Sequence, residues 1–208
     1  MRFSELSVSG CWEIGPEQHT DARGAFLEWF RPDLLADVTG HPMAVAQANV
    51  SVSAKGVVRG IHFSDVPPGQ AKYVTCVRGA VLDVVVDLRV GSPGFGRWEA
   101  VRLDDVDRTA LYIPAGLGHG FCALTDDATL CYLSSQTYAP HLEHAIDPLD
   151  TALAIDWPTD RPVLSERDSA APSLAAARAS GILPDYAACV VREGEAGQRR
   201  PAGEVGGP

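Results

Sequence analysis

The residues best suited to chemistry are His62, in the segment GVVRGIHF, and Lys72, which follows in PPGQAKYV. Removing a proton from a carbon beside a carbonyl needs a base whose pKa lies near neutrality, and histidine is the side chain that comes closest. The negative charge that then develops on the carbonyl oxygen can be stabilised by a fixed ammonium group, such as that of Lys72. Together these two residue types are suited to forming an enolate.

Two more residues would complete such a site. An imidazole acts reliably as a base when a carboxylate fixes its tautomer, and Asp168, in LSERDSAAP, is a candidate for that partner. Inversion of the carbon also needs a proton donor on the opposite face, which Tyr132 in TLCYLSS could supply. Each residue also has a simpler interpretation, Asp168 as a helix cap and Tyr132 as a core residue with its hydroxyl satisfied.

The segments around His62 and His119 have the spacing of the two cupin motifs. The first motif opens with Gly, five residues and His, and the second closes with P-x-G-x-x-H, as in PAGLGH. A metal cupin continues the first motif with a second histidine and a glutamate, but Ser64 and Lys72 stand at those positions. A cation in place of an anionic ligand would repel a metal ion. We therefore expect a cupin pocket without a metal.

The composition fits one globular domain that has a sizeable core. The chain has 208 residues, of which 46% are hydrophobic and 21% charged, and its net charge is -10. Such a charge argues against a surface that grips nucleic acid or anionic membrane by bulk electrostatics. The five cysteines include no CxxC pair, so neither a disulfide framework nor a cysteine zinc site is indicated. The amino terminus lacks an apolar signal core, and we expect a cytoplasmic protein.

Strands are the elements that must position these residues. From about Val45 to Ser135, short β-branched and aromatic runs alternate with Gly, Pro and Asp clusters. This pattern predicts an all-β, cupin-type antiparallel jelly roll with short flanking helices. In residues 81–90, VLDVVVDLRV, the alternation of apolar and polar side chains predicts a half-buried strand. The other predicted strands are Ala46–Val52, Val57–Phe63, Ala71–Val77, Trp98–Leu103, Ala110–Pro114, His119–Leu124 and Thr129–Ser135.

Helices are predicted only in the flanking segments. They cover Pro32–Val38 and Ser173–Ser180, and in the second case Ser173 and Gly181 provide start and stop signals. We expect one domain over residues 1–186. Residues 187–208 end in a polar stretch rich in Gly and Pro, which is typical of a disordered tail.

Strict alternation would place Arg59 and His62 on opposite faces of their strand. Gly60 lies between them, and a glycine inside a strand often marks a β-bulge. A bulge here would turn both side chains into one pocket.

The chain resembles the dTDP-4-dehydrorhamnose 3,5-epimerase family, including its relatives in antibiotic deoxysugar pathways. The resemblance runs from about Phe3 to Tyr186 and is carried by DARGAFLEWF, QANVSVS, RGIHF, PPGQAKYVTCVRG, GSPGFGRW, GLGHGF, YLSSQTYAP and LSERDSAAP. It implies epimerisation of a dTDP-4-keto-6-deoxyhexose through an enolate, without cofactor or metal. By matching motif, His62 would be the base and Asp168 its orienting partner. Tyr132 would be the acid, and Lys72 would stabilise the enolate.

The resemblance also implies substrate contacts and a homodimer. Arginines suit the diphosphate because a guanidinium pairs phosphate bidentately, and Tyr138 would stack on the thymine ring. The N-terminal region would cross to the partner, so that Arg23, Phe26 and Glu28 serve the neighbouring subunit's site. The implied substrate-binding residues are Arg23, Phe26, Glu28, Gln47, Asn49, Arg59, His119, Tyr138, Glu143 and Arg167.

Four alternatives remain open at this point. A ketoisomerase related to the same family would move the carbonyl instead of inverting a centre. A monoepimerase acting at C3 or C5 would share every catalytic residue with a double epimerase. A metal-dependent cupin enzyme would need ligands that Ser64 and Lys72 do not supply. A non-catalytic protein that binds a sugar nucleotide would have no need of His62 and Asp168, although both are present.

Overall fold

The computed structural model describes residues 1–191 and is dominated by short strands. The strands are β1 (Arg2–Glu5), β2 (Trp12–Gly15), β3 (His19–Asp21), β4 (Gly24–Phe26), β5 (Gln47–Ser53), β6 (Val58–Ser64), β7 (Lys72–Arg78), β8 (Ala80–Asp87), β9 (Trp98–Asp104), β10 (Ala110–Ile113), β11 (Leu117–Ala123), β12 (Ala128–Ser134) and β13 (Glu143–Ala145). The helices are α1 (Pro32–Thr39), α2 (Glu166–Ser169) and α3 (Leu174–Ser180), with a 3-10 turn at Pro140–Leu142.

Two antiparallel sheets form the body of the protein. One has the strand order β1-β2-β10-β7-β12-β5, and the other has the order β13-β6-β11-β8-β9. Most neighbours in these sheets are distant in sequence, which is the connectivity expected when a chain winds between the two sheets of a jelly roll. The predicted all-β class is therefore confirmed. Strands β3 and β4 pair only with each other in a separate hairpin.

Apolar side chains from both sheets fill the space between them. Val74 and Leu130 come from the six-stranded sheet, whereas Val85 and Phe121 come from the five-stranded sheet, and all four belong to one buried cluster. Burying a side chain of this size contributes about 2 kcal/mol to the free energy of unfolding. This cluster fixes the separation of the sheets, and with it the spacing of any groups that face each other.

The outer face of the five-stranded sheet is covered as well. Val84 and Val86 of β8 pack with Trp157 and with Leu174 of α3, in a second buried cluster. Strand β8 is therefore buried on both faces, and the prediction that it is half-buried was wrong. The reason is visible in the sequence, since Val85 interrupts the supposed polar face of VLDVVVD.

Both predicted flanking helices are present. Helix α1 has Pro32 in its first turn and ends at Gly40, whose φ of 81° is left-handed, and both features are common at helix ends. Helix α3 begins after Ser173, whose side chain accepts a hydrogen bond from the Ala176 backbone. Leu35 of α1 packs on the outer face of the six-stranded sheet, so each sheet has a helix on its outer side.

The N-terminal strands escaped prediction because each has only three or four residues, too few for an alternation to be recognised. The predicted disordered tail falls mainly on residues 192–208, which lie outside the described part of the chain. Residues 187–191 are described and, together with Tyr186, form a further helical segment after α3. No helix within residues 1–191 has the length and apolar character that a membrane span requires.

The predicted bulge at Gly60 is confirmed. His62 pairs with His119, whereas Arg59 pairs with Phe121, so β6 uses one residue more than β11 over this stretch. The φ of Gly60 is 127°, and a Cβ there would lie 2.5 Å from the Cα of Gly120 on the adjacent strand. The extra residue brings Arg59 and His62 to the same face of the sheet.

We expect Gly60→Ala to destabilise the fold by about 3 kcal/mol or more, because strained φ and a backbone clash coincide at this position. Chemical denaturation of both proteins measures the loss. Gly24→Ala is a matched control, since Gly24 has a φ of 129° but nothing within 4 Å of the added Cβ. The control should lose about 1 kcal/mol, for backbone strain alone. Equal losses in the two variants would show that the close approach of β6 and β11 is unimportant.

Candidate active site

At one end of the space between the sheets, the inward-facing side chains change from apolar to polar. Lys72 on β7 and Tyr132 on β12 continue the inward alternation of the core residues on those strands. His119 on β11 does the same in the opposite sheet, and His62 lies directly across from it. Alternate residues of a strand share a face, so side chains from both sheets meet in one polar pocket.

The imidazole of His62 forms a hydrogen bond with the carboxylate of Asp168, and Nε2 lies 2.7 Å from Oδ1. These residues are far apart in sequence, and α2 brings the carboxylate over β6. An ionised carboxylate accepts the proton of Nε2 and so leaves the lone pair on the other ring nitrogen, Nδ1. The predicted pairing of His62 with Asp168 is therefore present in the folded chain.

Asp168 is placed by its helix. Ser165 caps α2 by accepting a hydrogen bond from the Asp168 backbone, so Asp168 lies in the first turn with its side chain free to reach His62. Burial by itself would raise the pKa of the Asp168 carboxyl. Hydrogen bonds from His62, Ser165 and the Gly60 backbone outweigh burial, and the pKa is lower than its ordinary value. The group is therefore held in its ionised form.

Acid should remove the stabilisation that ionised Asp168 provides. Because the pKa is lower in the folded chain than the value of about 4 in an unfolded one, the contribution is complete above pH about 4 and is lost as the pH falls through the folded-state pKa. The free energy of unfolding should fall more steeply with acid in the wild type than in Asp168→Asn, in denaturation curves from about pH 6 downward. Parallel profiles would contradict this assignment.

His119 has a carboxylate partner of its own. Its Nε2 lies 3.0 Å from both oxygens of Asp83, which is fully buried on β8. The side chain of His119 is 11% exposed, whereas that of His62 is 31% exposed. His62 is therefore the more accessible of the two histidines, and His119 is the more firmly held. A base must reach the substrate, which favours His62 for that role.

Charged groups of both signs act on Lys72 in the pocket. Burial lowers the pKa of its ammonium group, the carboxylates of Glu143 and Asp83 act in the other direction, and Arg167 adds to the lowering. Burial raises the pKa of the Tyr132 phenol. The charge of Arg59 acts to lower that pKa, and the charge of Glu143 acts to raise it. Glu143 thus interacts electrostatically with both groups, which ties Lys72 and Tyr132 to the same pocket.

Other residues with predicted substrate contacts lie around this centre. The guanidinium of Arg59 donates to the hydroxyl of Ser53 at 3.1 Å, and that of Arg167 donates to the Glu143 carbonyl at 3.2 Å. Asn49 is the direct cross-strand neighbour of Tyr132. Arg167 and Asn49 therefore lie next to Glu143 and Tyr132, two residues of this pocket.

The N-terminal residues of the predicted site lie outside the pocket formed by their own chain. Arg23 is in the turn of the β3–β4 hairpin and pairs with Asp21, and its side chain is 90% exposed. Glu28 pairs with Arg31, and Phe26 is 69% exposed. No described hydrogen bond or ion pair links these groups to the pocket of their own chain.

Sequence reasoning missed three residues that organise the pocket: Asp83, which holds His119; Ser53, which accepts from Arg59; and Gln70, which donates to Glu143 at 3.5 Å. Only Asp83 had a usable signal. It occupies the same strand face as Val81 and Val85, and a carboxylate on an apolar face is rarely buried without a partner. Within residues 1–191, no group of three or more His, Cys, Asp or Glu side chains could hold a metal ion.

Known proteins share this chain's sequence and fold. The model of the family described as dTDP-4-dehydrorhamnose 3,5-epimerase matches residues 5–176. A dTDP-4-dehydrorhamnose 3-epimerase from Streptomyces niveus is 64% identical over 189 residues, 91% of each chain. A dTDP-4-dehydrorhamnose 3,5-epimerase from Mycolicibacterium smegmatis is 57% identical over 190 residues, 91% of this chain and 94% of the relative. The crystal structure of a 3'-monoepimerase from Streptomyces bikiniensis in complex with dTDP-quinovose has a TM-score of 0.90 and 52% identity, and the match covers 93% of this chain and 98% of that one.

Proposed function

Because the chain belongs to the dTDP-4-dehydrorhamnose 3,5-epimerase family, we propose that it inverts C3, C5 or both in a dTDP-4-keto-6-deoxyhexose. The observation that carries this proposal is the 2.7 Å bond between His62 and Asp168, inside a pocket that also holds Lys72 and Tyr132. A base with a fixed tautomer, a cation and a phenol are the groups that epimerisation beside a ketone requires.

In the first step His62 takes the proton from the carbon beside the ketone. The electron pair of the broken C–H bond moves towards the carbonyl and gives an enolate, and the imidazolium is stabilised by Asp168. The Lys72 ammonium stabilises the charge on the enolate oxygen. No electrons leave the substrate, so the reaction needs no oxidant or reductant.

In the second step Tyr132 gives its phenolic proton to the opposite face of the same carbon. The enolate collapses to the ketone with inverted configuration, and exchange with solvent restores the proton on Tyr132 and removes the one on His62. The two groups belong to facing sheets, which supports attack from opposite sides of a sugar held between them.

The remaining pocket residues bind the substrate in this proposal. Arg59 and Arg167 carry the positive charge that a diphosphate requires. His119, Asn49 and Glu143 line the space around the sugar. Tyr138, which is 59% exposed, would stack on the thymine ring at the rim.

A monoepimerase is a second candidate, because the Streptomyces niveus relative is named a 3-epimerase and the Streptomyces bikiniensis protein a 3'-monoepimerase. Both candidates use the same base and acid, and they differ in how the ring sits against Tyr132. An incubation of the purified protein with dTDP-4-keto-6-deoxyglucose in deuterium oxide distinguishes them by NMR. Label together with inverted configuration at C3 and C5 indicates double epimerisation, and label with inversion at one carbon indicates a monoepimerase. Label at neither carbon would refute the proposed reaction.

We also propose that the enzyme is a homodimer in which the N-terminal hairpin completes the partner's site. The outer face of edge strand β5 exposes Val50 and Val52, at 66% and 57%, and Val77 of β7 extends the same apolar surface. Exposed valines on a sheet edge favour pairing with another chain. A second copy would cover this surface and bring an exposed hairpin, with Arg23 and Phe26, to its neighbour.

Co-expression of two inactive variants tests this arrangement. His62→Ala removes the base, and Arg23→Ala removes a contact that the neighbour would receive. In a mixed dimer one of the two sites has both residues intact, so a random mixture should recover about a quarter of wild-type activity. Activity no greater than that of the separate variants would show that each chain supplies its own Arg23 or that no dimer forms.

A further inference from the structure

The hairpin of β3 and β4 has no sheet of its own chain to orient it. Its two strands pair only with each other, and every residue of both strands is exposed. Within residues 1–191, the described hydrogen bonds of residues 19–27 stay inside the hairpin. The direction in which the hairpin projects is therefore set by the segments at its two ends.

The carboxyl-terminal end of the hairpin is held by packing and by one hydrogen bond. The hydroxyl of Tyr73 on β7 donates to the carbonyl of Trp29 at 2.7 Å. The rings of Trp29 and Phe30 also pack against the ring of Tyr73, with centroids 5.8 and 4.9 Å from it. All three residues contribute to one apolar cluster, so this end of the hairpin is attached to the core.

The amino-terminal end is held by the side chain of Gln18, which comes directly before β3. Its Nε2 donates to the carbonyls of Val106 and Asp107 at 2.9 and 3.3 Å, and its Oε1 accepts from Nη1 of Arg108 at 3.1 Å. These three partners are consecutive residues in the turn between β9 and β10. The nitrogen and the oxygen of the side-chain amide thus both attach the hairpin to that turn.

The turn between β9 and β10 is itself fixed. The buried carboxylate of Asp104 accepts from the backbone N–H groups of Val106 and Asp107, at 3.0 and 2.9 Å. Asp104 therefore holds the N–H groups of these two residues, and Gln18 binds their carbonyls. Hydrogen bonds depend on angle as well as distance, so an amide bound to a fixed turn sets the direction in which the chain leaves it.

We propose that Gln18 is a positioning residue: by binding the β9–β10 turn, it directs the β3–β4 hairpin so that Arg23 enters the active site of the partner subunit. This assignment rests on the proposed function, because it takes the enzyme to be a homodimer whose hairpins complete the neighbouring sites. Gln18 then acts on the site of the neighbour and leaves the pocket of its own chain unaffected.

A mixed dimer shows which site Gln18 serves. When His62→Ala and Arg23→Ala chains are combined, the one complete site has the pocket of the Arg23→Ala chain and the hairpin of the His62→Ala chain. Gln18→Leu in the His62→Ala chain should lower kcat/KM of the mixture on dTDP-4-keto-6-deoxyglucose about 10-fold, because the hairpin of the complete site loses its anchor. The same substitution in the Arg23→Ala chain affects only the incomplete site and should leave kcat/KM within about 2-fold.

Two further variants separate positioning from a general loss of stability. Loss of folding or of dimerisation would lower activity equally in both placements of Gln18→Leu, and that result would overturn the proposal. Arg108→Leu removes the partner of the Gln18 Oε1 and should show the same dependence on placement. Glu17→Ala is the matched control, since Glu17 is the exposed neighbour of Gln18 and its side chain makes none of the described hydrogen bonds. It should retain the activity of the mixture in either placement.

Trypsin measures the position of the hairpin without any turnover. The Arg23 side chain is 90% exposed in the single chain, but it would be shielded in a partner's site. Cleavage after Arg23, followed by mass spectrometry, should be about 5-fold faster in Gln18→Leu than in Glu17→Ala, because a hairpin without its anchor leaves the partner more often. Equal rates would contradict the positioning role.

The outcomes separate this inference from the proposed function. No recovery of activity in the mixture that keeps Gln18 in both chains would refute the completion of sites between chains, and the positioning role with it. Recovery with equal losses in both placements would leave the homodimer standing and refute only the role of Gln18. If the wild type does not epimerise dTDP-4-keto-6-deoxyglucose, the proposed reaction is refuted, and trypsin cleavage decides the role of Gln18.

Discussion

His62→Ala is expected to lower kcat by about 10³-fold and to stop deuterium entering the substrate from solvent. The reason is that the C–H bond must break before any label can enter, and His62 is the accessible imidazole whose tautomer a carboxylate fixes. Exchange at C3 and C5, followed by NMR in deuterium oxide, measures the first step directly. Turnover alone would not distinguish this step from the second one.

His144→Ala is a closely matched control for that experiment. His144 also places its Nε2 2.7 Å from a carboxylate oxygen, that of Asp65. It pairs with Phe63 on β6 and therefore faces away from the pocket. Its replacement should leave exchange at the wild-type rate. Exchange that survives in His62→Ala but is lost in His119→Ala would assign the base to the second, more deeply held histidine.

Tyr132→Phe separates the two steps further. Loss of the phenol removes the proton donor but leaves His62 and Lys72 in place, so label should still enter while inversion slows. The ratio of exchange to inversion, measured on one sample, should rise above the wild-type ratio. An unchanged ratio would mean that Tyr132 fills space between the sheets, which is its simpler interpretation.

Much of the fold could be predicted because period-2 alternation and turn residues are local signals. The strand containing His62 and the bulge at Gly60 follow from a short stretch of sequence that needs no partner to be recognised. The choice between Asp168 as a cap and Asp168 as a partner of His62 could not be decided that way. Ser165 turned out to be the cap, which leaves the Asp168 carboxylate for the imidazole.

The organisation of the pocket depends on contacts that sequence spacing does not encode. The bonds of Asp83 to His119 and of Gln47 to the Tyr138 backbone each join segments distant along the chain. The register of β5 against β12 is also a contact between distant segments, and it sets which side chain lies next to Tyr132.

Lys72→Met should lower kcat by about 10²- to 10³-fold while the chain remains folded. Methionine has nearly the volume of lysine but carries no charge, so the enolate would lose the cation that stabilises it. The simpler role for Lys72 is to neutralise Glu143 and Asp83, both of which act on its pKa. Lys72→Arg distinguishes the two roles, since it restores charge and hence stability but places the cation differently. If Lys72→Arg has wild-type kcat, Lys72 serves only to neutralise its neighbours.

The pH dependence of kcat gives a second test of the same group. Lys72 and Tyr132 start from similar ordinary pKa values, 10.5 and 10.0, but burial lowers the pKa of the ammonium and raises that of the phenol. As the pH rises, Lys72 loses its proton below the ordinary value of 10.5, and with it the charge that stabilises the enolate. The alkaline fall in wild-type activity should lie below pH 10.5, and the residual activity of Lys72→Met should lack it. An alkaline fall at the same pH in Lys72→Met would assign it to Tyr132, and the acid, not the cation, would then limit turnover in base.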